Sequence, residues 1–537
     1  MLKIIAHALQ KKLLTALMAA SICASLLSCD ILYPEIVMPS TEAPTEPTPE
    51  VSTEETTAAP PTEPTTDAAT EPVDTTPEPT EPPDPYADYQ ELLPANIKMT
   101  TPRKEAIKYL EELAPRDFAG LAFTIATTDS TKFEAEAEGS LVTQARYFRN
   151  QLVERKYNVE ILTLQYSNAE FRTAAKTAYL AGDFFADIVS CEMSEISALI
   201  HEDLLVNLRS VPFMNLRKPY YDQSAIKAVS AGKQIYAVFG GITASPEKQW
   251  ALIYNRDTLR ELGLTDPYTT IKAGGTWDLA EYSAICAKAM RDVNGDGRMG
   301  EGDIYGHAAT VGVDRYIDIL FAGSGISYLN SDNYAAPRLV YGTSRAQSLT
   351  DALHAFFIQN QTKIPETDTP QYPVDQFRLG KAAFLTSELS VIPLLQDTPF
   401  DWGVLPIPKF DAAQQGYSCY ADISAPGAAI VKGIYESETS GILIEALSAA
   451  SYKHINDEFI NEYMNYYMRS YDAVEMLGLV LDSPGYDMAH VLGAGNQQVA
   501  DATYGFIRGA VRSGGDFLDR YSGTKKAFDE YSAQQFK

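Results

Sequence analysis

The stretch LAFTIAT at Leu121–Thr127, read with the segments that follow it, decides the fold. Seven residues that are apolar, aromatic or β-branched read as a buried strand. Val142–Arg155 then carries apolar residues at helical spacing and stops at Lys156-Tyr157-Asn158. VEILTL at Val159–Leu164 reads as a second strand, Phe171–Leu180 as a helix, Asp187–Cys191 as a strand and Ser194–His201 as a helix. Further strands are predicted at Trp250–Tyr254, Ala382–Leu385 and Val404–Pro406. Strands alternating with helices predict an α/β fold with a mostly parallel sheet covered on both faces. Open sheets of this kind place ligands at the carboxyl ends of their strands. A length of 537 residues allows two or three domains.

Upstream of this body the chain changes character. Lys3, Lys11 and Lys12 precede an apolar run from Leu13 to Leu27, which closes on Ser28-Cys29. A basic start followed by a short apolar run is a secretory signal, and a run this short falls below the ~20 residues of a membrane-spanning helix. Between Asp30 and Ile97 there is no Lys or Arg, but there are 16 Asp and Glu, with repeated Thr-Glu-Pro words. So few apolar residues cannot offset the entropy of ordering, so 29–97 is predicted to be a disordered tether. Proline favours extended geometry, and at about 3.1 Å per residue such a tether reaches on the order of 150 Å. It reads as a spacer across a cell wall, glycosylated on its threonines, or equally as a plain solvated linker.

Of the chain's net charge of −28, about −15 belongs to the body from Lys98 onward. An acidic body opposes binding to nucleic acid or to anionic lipid. Beyond Cys23 and Cys29, the cysteines Cys191, Cys286 and Cys419 lie far apart, without metal or redox spacing. Cys191 and Cys286 are expected in the core as small hydrophobes.

Several phrases resemble the family 1 extracellular solute-binding proteins, the substrate-binding lipoproteins of ABC importers, in their Gram-positive form. Ala145-Arg146-Tyr147-Phe148-Arg149-Asn150 leads into Val153-Glu154-Arg155-Lys156-Tyr157-Asn158-Val159. Asp203-Leu204-Leu205-Val206-Asn207-Leu208, Gly232-Lys233-Gln234-Ile235-Tyr236-Ala237-Val238 and Leu252-Ile253-Tyr254-Asn255-Arg256-Asp257 follow in order. Phe377-Arg378-Leu379-Gly380-Lys381-Ala382-Ala383-Phe384 and Gly403-Val404-Leu405-Pro406-Ile407-Pro408 complete the series over about 430 residues. The ending Leu26-Leu27-Ser28-Cys29 likewise resembles the lipobox of bacterial lipoproteins, in which the cysteine is lipidated. The resemblance implies a two-lobed, type II periplasmic-binding-protein-like fold with hinge strands. It implies lobe one at 98–245 and 382–435, lobe two at 246–381 and 436–537, and a signal peptide at 1–28. It further implies a protein held by Cys29 on the extracellular face of the cell membrane, partnered by an ABC permease and a small-molecule solute, a carbohydrate above all. The competing reading is a stalked polysaccharide-active enzyme or an adhesin. No His-Glu-x-x-His or Gly-x-Ser-x-Gly motif occurs, so no catalytic residues are assigned.

The sharpest local motif is 292–303. Asp292, Asn294, Asp296 and Asp303 fall at positions 1, 3, 5 and 12, with Gly297 at position 6, as in an EF-hand loop. Arg298 would give its carbonyl, and Asp303 stands where a longer glutamate is usual. The expectation is a structural Ca²⁺ in lobe two, against a plain Asx turn. For the solute, strand-end positions name Asp129, Glu192 and Glu388 as carboxylates for hydroxyls. Phe239, Trp250 and Tyr420 are named as rings for sugar faces. The expectation is that all six converge on one interlobe cleft.

Overall fold

The computed structural model describes residues 84–93, 97–231, 234–330, 336–365, 369, 371–421, 423–433, 437–470 and 472–535. By its contacts the chain divides after Ala87, and all that follows concerns Asp88–Lys537. The signal segment, Cys29 and most of the tether lie outside the described residues.

Along the chain, helix α1 (Thr101–Glu111) leads into β1 (Leu121–Thr127), α2 (Leu141–Tyr157), β2 (Val159–Gln165), α3 (Asn168–Ala181), β3 (Ile188–Glu192), α4 (Met193–His201), α5 (Gln223–Ala228) and β4 (Ala237–Val238). Then come β5 (Trp250–Asn255), α6 (Leu279–Ala289), β6 (Tyr305–Ala309), α7 (Val313–Gly323), β7 (Ala382–Glu388) and β8 (Trp402–Leu405). The last part holds β9 (Cys419–Tyr420), β10 (Pro426–Ala429), α8 (Ser437–Ser451), α9 (His454–Tyr466), α10 (Asp472–Leu481), β11 (Pro484–Gly485), α11 (Met488–Ala494), α12 (Tyr504–Ser513) and α13 (Phe517–Gln535).

Local chemistry sets these boundaries. Ser140 caps α2 by accepting from Thr143 N, and Asn158 ends it in the left-handed region at φ 49°. Ser167 and Glu170 form a capping box on α3. β1 runs parallel to β2 from Leu121↔Val159 to Thr127↔Gln165, and parallel to β3 on its other side. The first sheet has the order β2-β1-β3-β10-β4, with β10 antiparallel to both neighbours. The second has the order β8-β5-β7-β6. It is mixed rather than mostly parallel, because β5 runs antiparallel to both β7 and β8 while β7 and β6 are parallel. Each sheet has its own apolar core. Cys191, Cys286 and Cys419 are buried free thiols within them.

The two sheets are the two lobes, and their boundaries differ from those expected. Ala382–Glu388 and Trp402–Leu405 lie in the second sheet, so 382–408 belongs to lobe two. Antiparallel pairing of β7 with β5 places them there, and only β10 returns to lobe one. Helix α8, expected in lobe two, packs on α1 and α2 of lobe one. The chain therefore passes between lobes through 239–249, through 409–425, and again through α9 and α10, α10 resting on β8. The last residues of the expected tether also join the body. Leu93 is buried, Arg155 Nη1 donates to Asp88 O at 2.8 Å, and its guanidinium lies over the Tyr89 ring.

Candidate functional site

The carboxyl ends of β1 and β7 meet at the first crossing. Asp129 follows β1 and accepts from Thr131 N at 3.2 Å and from Thr131 Oγ1 at 2.6 Å. Lys132 Nζ stands 3.7 Å from Asp129 Oδ2 and bonds Glu247 of the crossing. The next residue, Lys248, reaches to 3.7 Å from Glu388 Oε2 at the end of β7. A chain of charges thus runs from lobe one through the crossing to lobe two. Burial works to raise the Asp129 pKa, but Lys132 and the Thr131 bonds hold it below the usual carboxylate range.

Helix α2 laces this region together. Arg146 donates to Thr131 O and Ala244 O, while Arg149 donates to Ile242 O at 3.2 Å and Lys132 O at 2.7 Å. Arg149 is fully buried. Desolvation, with Arg146 nearby, pushes its pKa down to about 9. Both arginines therefore tie the 130–132 turn to the crossing at 242–244.

Beside these contacts lies a cleft of about 770 Å³, lined by the first crossing, by Ala425–Pro426, by the start of α9 and by 481–486. Tyr452 and Tyr486 supply rings, and Gln249, Asn456 and Asp457 supply amides and a carboxylate; Phe239 belongs to the lining but is buried, with its ring packed in the first sheet's core. The Phe239 and Tyr486 rings lie 6.0 Å apart. Behind the cleft, buried Glu445 accepts from the hydroxyls of Tyr220 and Tyr221 and from Asn215 N. That carboxylate fixes the 215–221 segment against α8. Burial raises the Asp457 pKa, Lys453 opposes, and Glu105, Glu458 and Asp482 add to the rise. An arrangement of ring faces with amide and carboxylate acceptors can hold a polyhydroxylated ring, with apolar faces stacked and hydroxyls donating.

Of the six expected solute residues, Phe239 falls in the lining of this cleft, but its ring is buried in the first sheet's core rather than presented to a solute. Asp129 and Glu388 are outside the lining, Asp129 beside Lys132, which bonds Glu247, and Glu388 beside Lys248, which does line the cleft. Glu192 ends β3 opposite Pro426, itself a lining residue. Trp250 does not face the cleft. It is buried in the second sheet's core, cross-strand from Glu388, because β5 is covered on both faces. Tyr420 is also core, with Arg315 over its ring at 5.0 Å and His490 against it. Tyr452, Asn456, Asp457 and Tyr486 were not expected. The capping Asp222 after Tyr220-Tyr221 was the one local signal of a turn near the cleft.

The 292–303 loop closes on its own amides. Asp292 accepts from Gly295 N and Gly297 N, each at 2.7 Å, and Asp296 accepts from Arg298 N at 2.8 Å. Asp303 accepts from Val293 N at 2.9 Å and Gly300 N at 2.7 Å, and these bonds lower its pKa. Gly295 and Gly297 take φ of +72° and +78°, the conformation glycine permits at such turns. The oxygen donors suit a hard cation. Among the described residues, however, no three His, Cys, Asp or Glu side chains are gathered as a metal group.

No family model matches the chain, and no curated protein matches it. Solved structures do. The maltose-binding periplasmic protein MalE from Listeria monocytogenes, in complex with maltose, superposes with a TM-score of 0.50 at 13% identity, over 78% of this chain and 99% of its own. A family 1 extracellular solute-binding protein from Bifidobacterium longum subsp. infantis gives 0.48 at 10% identity, over 77% of this chain and 100% of its own. Both are binding proteins. Two α/β lobes, repeated crossings between them and a cleft at those crossings agree with the first of these likenesses: this chain has the type II periplasmic-binding-protein fold, the fold of the extracellular solute-binding proteins.

Proposed function

We propose that this protein is an extracellular solute-binding protein that captures a sugar or oligosaccharide and hands it to an ABC importer, and that it is not an enzyme. The observation that carries this is the cleft at the lobe crossings, where Tyr452 and Tyr486 stand beside Gln249, Asn456 and Asp457. Rings next to hydroxyl acceptors are the chemistry of carbohydrate recognition. A ligand held by both lobes favours the arrangement in which both touch it, which is a population shift. A thermal-shift screen against sugars, peptides and amino acids tests the reading. A ligand at 100 times its Kd adds about 2.7 kcal/mol of stability, so one sugar class should raise Tm and the other classes should not. A response to peptides alone would overturn it.

In this reading the tether and Cys29 hold the binder at the cell surface. Among the described residues no helix is long and apolar enough to cross a membrane. Attachment in this reading rests on lipid at Cys29, since more than one acyl chain is needed for lasting anchorage. Cys29→Ala is expected to move the protein from the membrane fraction to the medium, or to leave the signal uncleaved. An unmodified Cys29 inside a longer mature chain, seen by mass spectrometry, would refute lipidation.

Calcium in the 292–303 loop belongs to the same proposal. Asp292, Asn294, Asp296 and Asp303 would hold the ion and Arg298 would add its carbonyl, pinning the end of α6 to β6 through the Arg291–Ile304 bridge. Chelator is then expected to lower Tm, and Asp292→Ala with Asp296→Ala to abolish that response. Equal melting with Ca²⁺ and with chelator would reject the site.

A further inference from the structure

Helix α11 is buried in both lobes at once. Val491 belongs to the first sheet's core, whereas its neighbours Met488, Ala489 and Leu492 belong to the second sheet's core. None of the four is more than 5% exposed. Towards lobe one the helix packs on α4 and α5. Just past its end the backbone approaches α4 so closely that a Cβ on Gly495 would lie 2.7 Å from His201 Cδ2 and 3.4 Å from Ser197 Oγ. A helix sealed into two cores must leave one of them whenever the lobes part.

Lobe two holds the helix more firmly. Asp487 caps it by accepting from Ala489 N at 2.8 Å, and also accepts from Tyr328 N at 3.0 Å. His490 Nε2 stands 3.5 Å from Oδ2 of buried Asp318 on α7, and Arg508 Nε of α12 donates to the same carboxylate at 3.1 Å. The His490 ring stacks on Tyr504 at 4.9 Å. The strand just before the helix, β11, pairs with β9, whose two residues lie in the second sheet's core. Towards lobe one the helix offers the packing of Val491 and the close approach at Gly495. The weaker of the two attachments is therefore the seam with α4 and α5. Tyr486, two residues before α11, lines the cleft, so this seam adjoins the solute site.

We propose that α11 travels with lobe two and that its seam with α4 and α5 is a closing contact made without solute, which sets how often the free protein brings its lobes together. Apparent affinity scales with the population of the binding-competent arrangement, so this seam tunes binding from outside the solute contacts. The inference uses the two-lobed fold and is independent of which solute the cleft takes.

The test measures lobe separation without ligand. Fluorophores are placed through an azide-bearing amino acid at Leu180 of lobe one and Leu379 of lobe two, which are 74% and 65% exposed, and single-molecule transfer is read in the full chain. The parent should show two separations. Val491→Ala removes apolar surface from the seam and should shift their ratio about fivefold or more towards the wider one. Ile285→Ala is the control, in the second sheet's core on α6, which packs on β6 and β7 away from the seam. It should lower Tm and leave the ratio within about twofold of the parent. Ser197→Cys with Gly495→Cys sets two thiols across the seam. Ser197 Oγ has no hydrogen-bond partner to lose among the described residues, and Cys191, Cys286 and Cys419 are buried. Oxidised, this variant should show the narrower separation alone, and reduction should restore both. A single separation in the parent, no shift or a narrowing shift with Val491→Ala, or an equal shift with Ile285→Ala would overturn the proposal. So would two separations that persist in the oxidised double variant, because α11 would then stay on lobe one while the lobes part elsewhere.

Discussion

Glu458→Ala is expected to destabilise the folded body by about 3–5 kcal/mol. Arg103 of α1 and Glu458 of α9 form an ion pair at 2.6 Å with side chains only 3% and 4% exposed. Burial lowers the Arg103 pKa and Glu458 opposes that fall. Without Glu458 the guanidinium keeps one bond, to Lys98 O at 2.7 Å, and stays buried beside His454 and Arg149. An uncompensated buried charge costs far more than the pair itself contributes. Urea unfolding should therefore show a lower midpoint at nearly constant slope. Converting both residues to leucine should recover much of the loss, since well-packed apolar residues commonly replace buried pairs at little cost. A loss below about 1 kcal/mol for Glu458→Ala would mean that water reaches the pair. The location matters for function, because α1 follows the tether and α9 is a connecting helix between lobes.

The second large effect is expected at the cleft. Tyr452→Ala should weaken binding of the sugar found by screening about ten- to hundredfold, the worth of about 1.5–3 kcal/mol of buried ring surface. Tyr452 packs edge-on to Tyr109 at 4.7 Å on one side and lines the cleft on the other, so its loss should lower affinity with little effect on Tm. Tyr466→Ala is the control. Tyr466 is 63% exposed, at the far end of the helix that follows Tyr452 and outside the cleft lining, and its variant should bind as the parent does. Equal affinity of Tyr452→Ala and parent, measured by titration calorimetry, would remove Tyr452 from the site.

The sequence was most readable where local chemistry decides. LAFTIAT is strand β1 to the residue, and the caps at Ser140, Ser167 and Asn158 end elements close to where the pattern breaks. Which sheet a strand joins is a different matter. β7 is apolar throughout, and nothing in a period-two or continuous run records whether its neighbour is β5 or β10; pairing alone puts it in lobe two. Trp250 failed as a site residue for a related reason. A ring beside a crossing looks available in one dimension, but β5 is buried on both faces. Tyr452, Asn456 and Asp457 could not be singled out. They face the cleft only because α9 turns its other side, with Glu458 and Glu462, to α1 and α2. The ion chain from Asp129 to Glu388 was half visible. Its ends sit at strand ends, as sheet geometry requires, whereas Lys132, Glu247 and Lys248 join it only through the tertiary fold.

The most direct test of the central claim is lobe separation during sugar titration, read between labels at Leu180 and Leu379 in the full chain. The account predicts a saturable change to one shorter separation, produced by a single carbohydrate class, with a midpoint equal to the calorimetric Kd, and weakened in parallel by Tyr452→Ala. Sugar binding that leaves the separation unchanged, or a change produced by peptides and by no sugar, would contradict it.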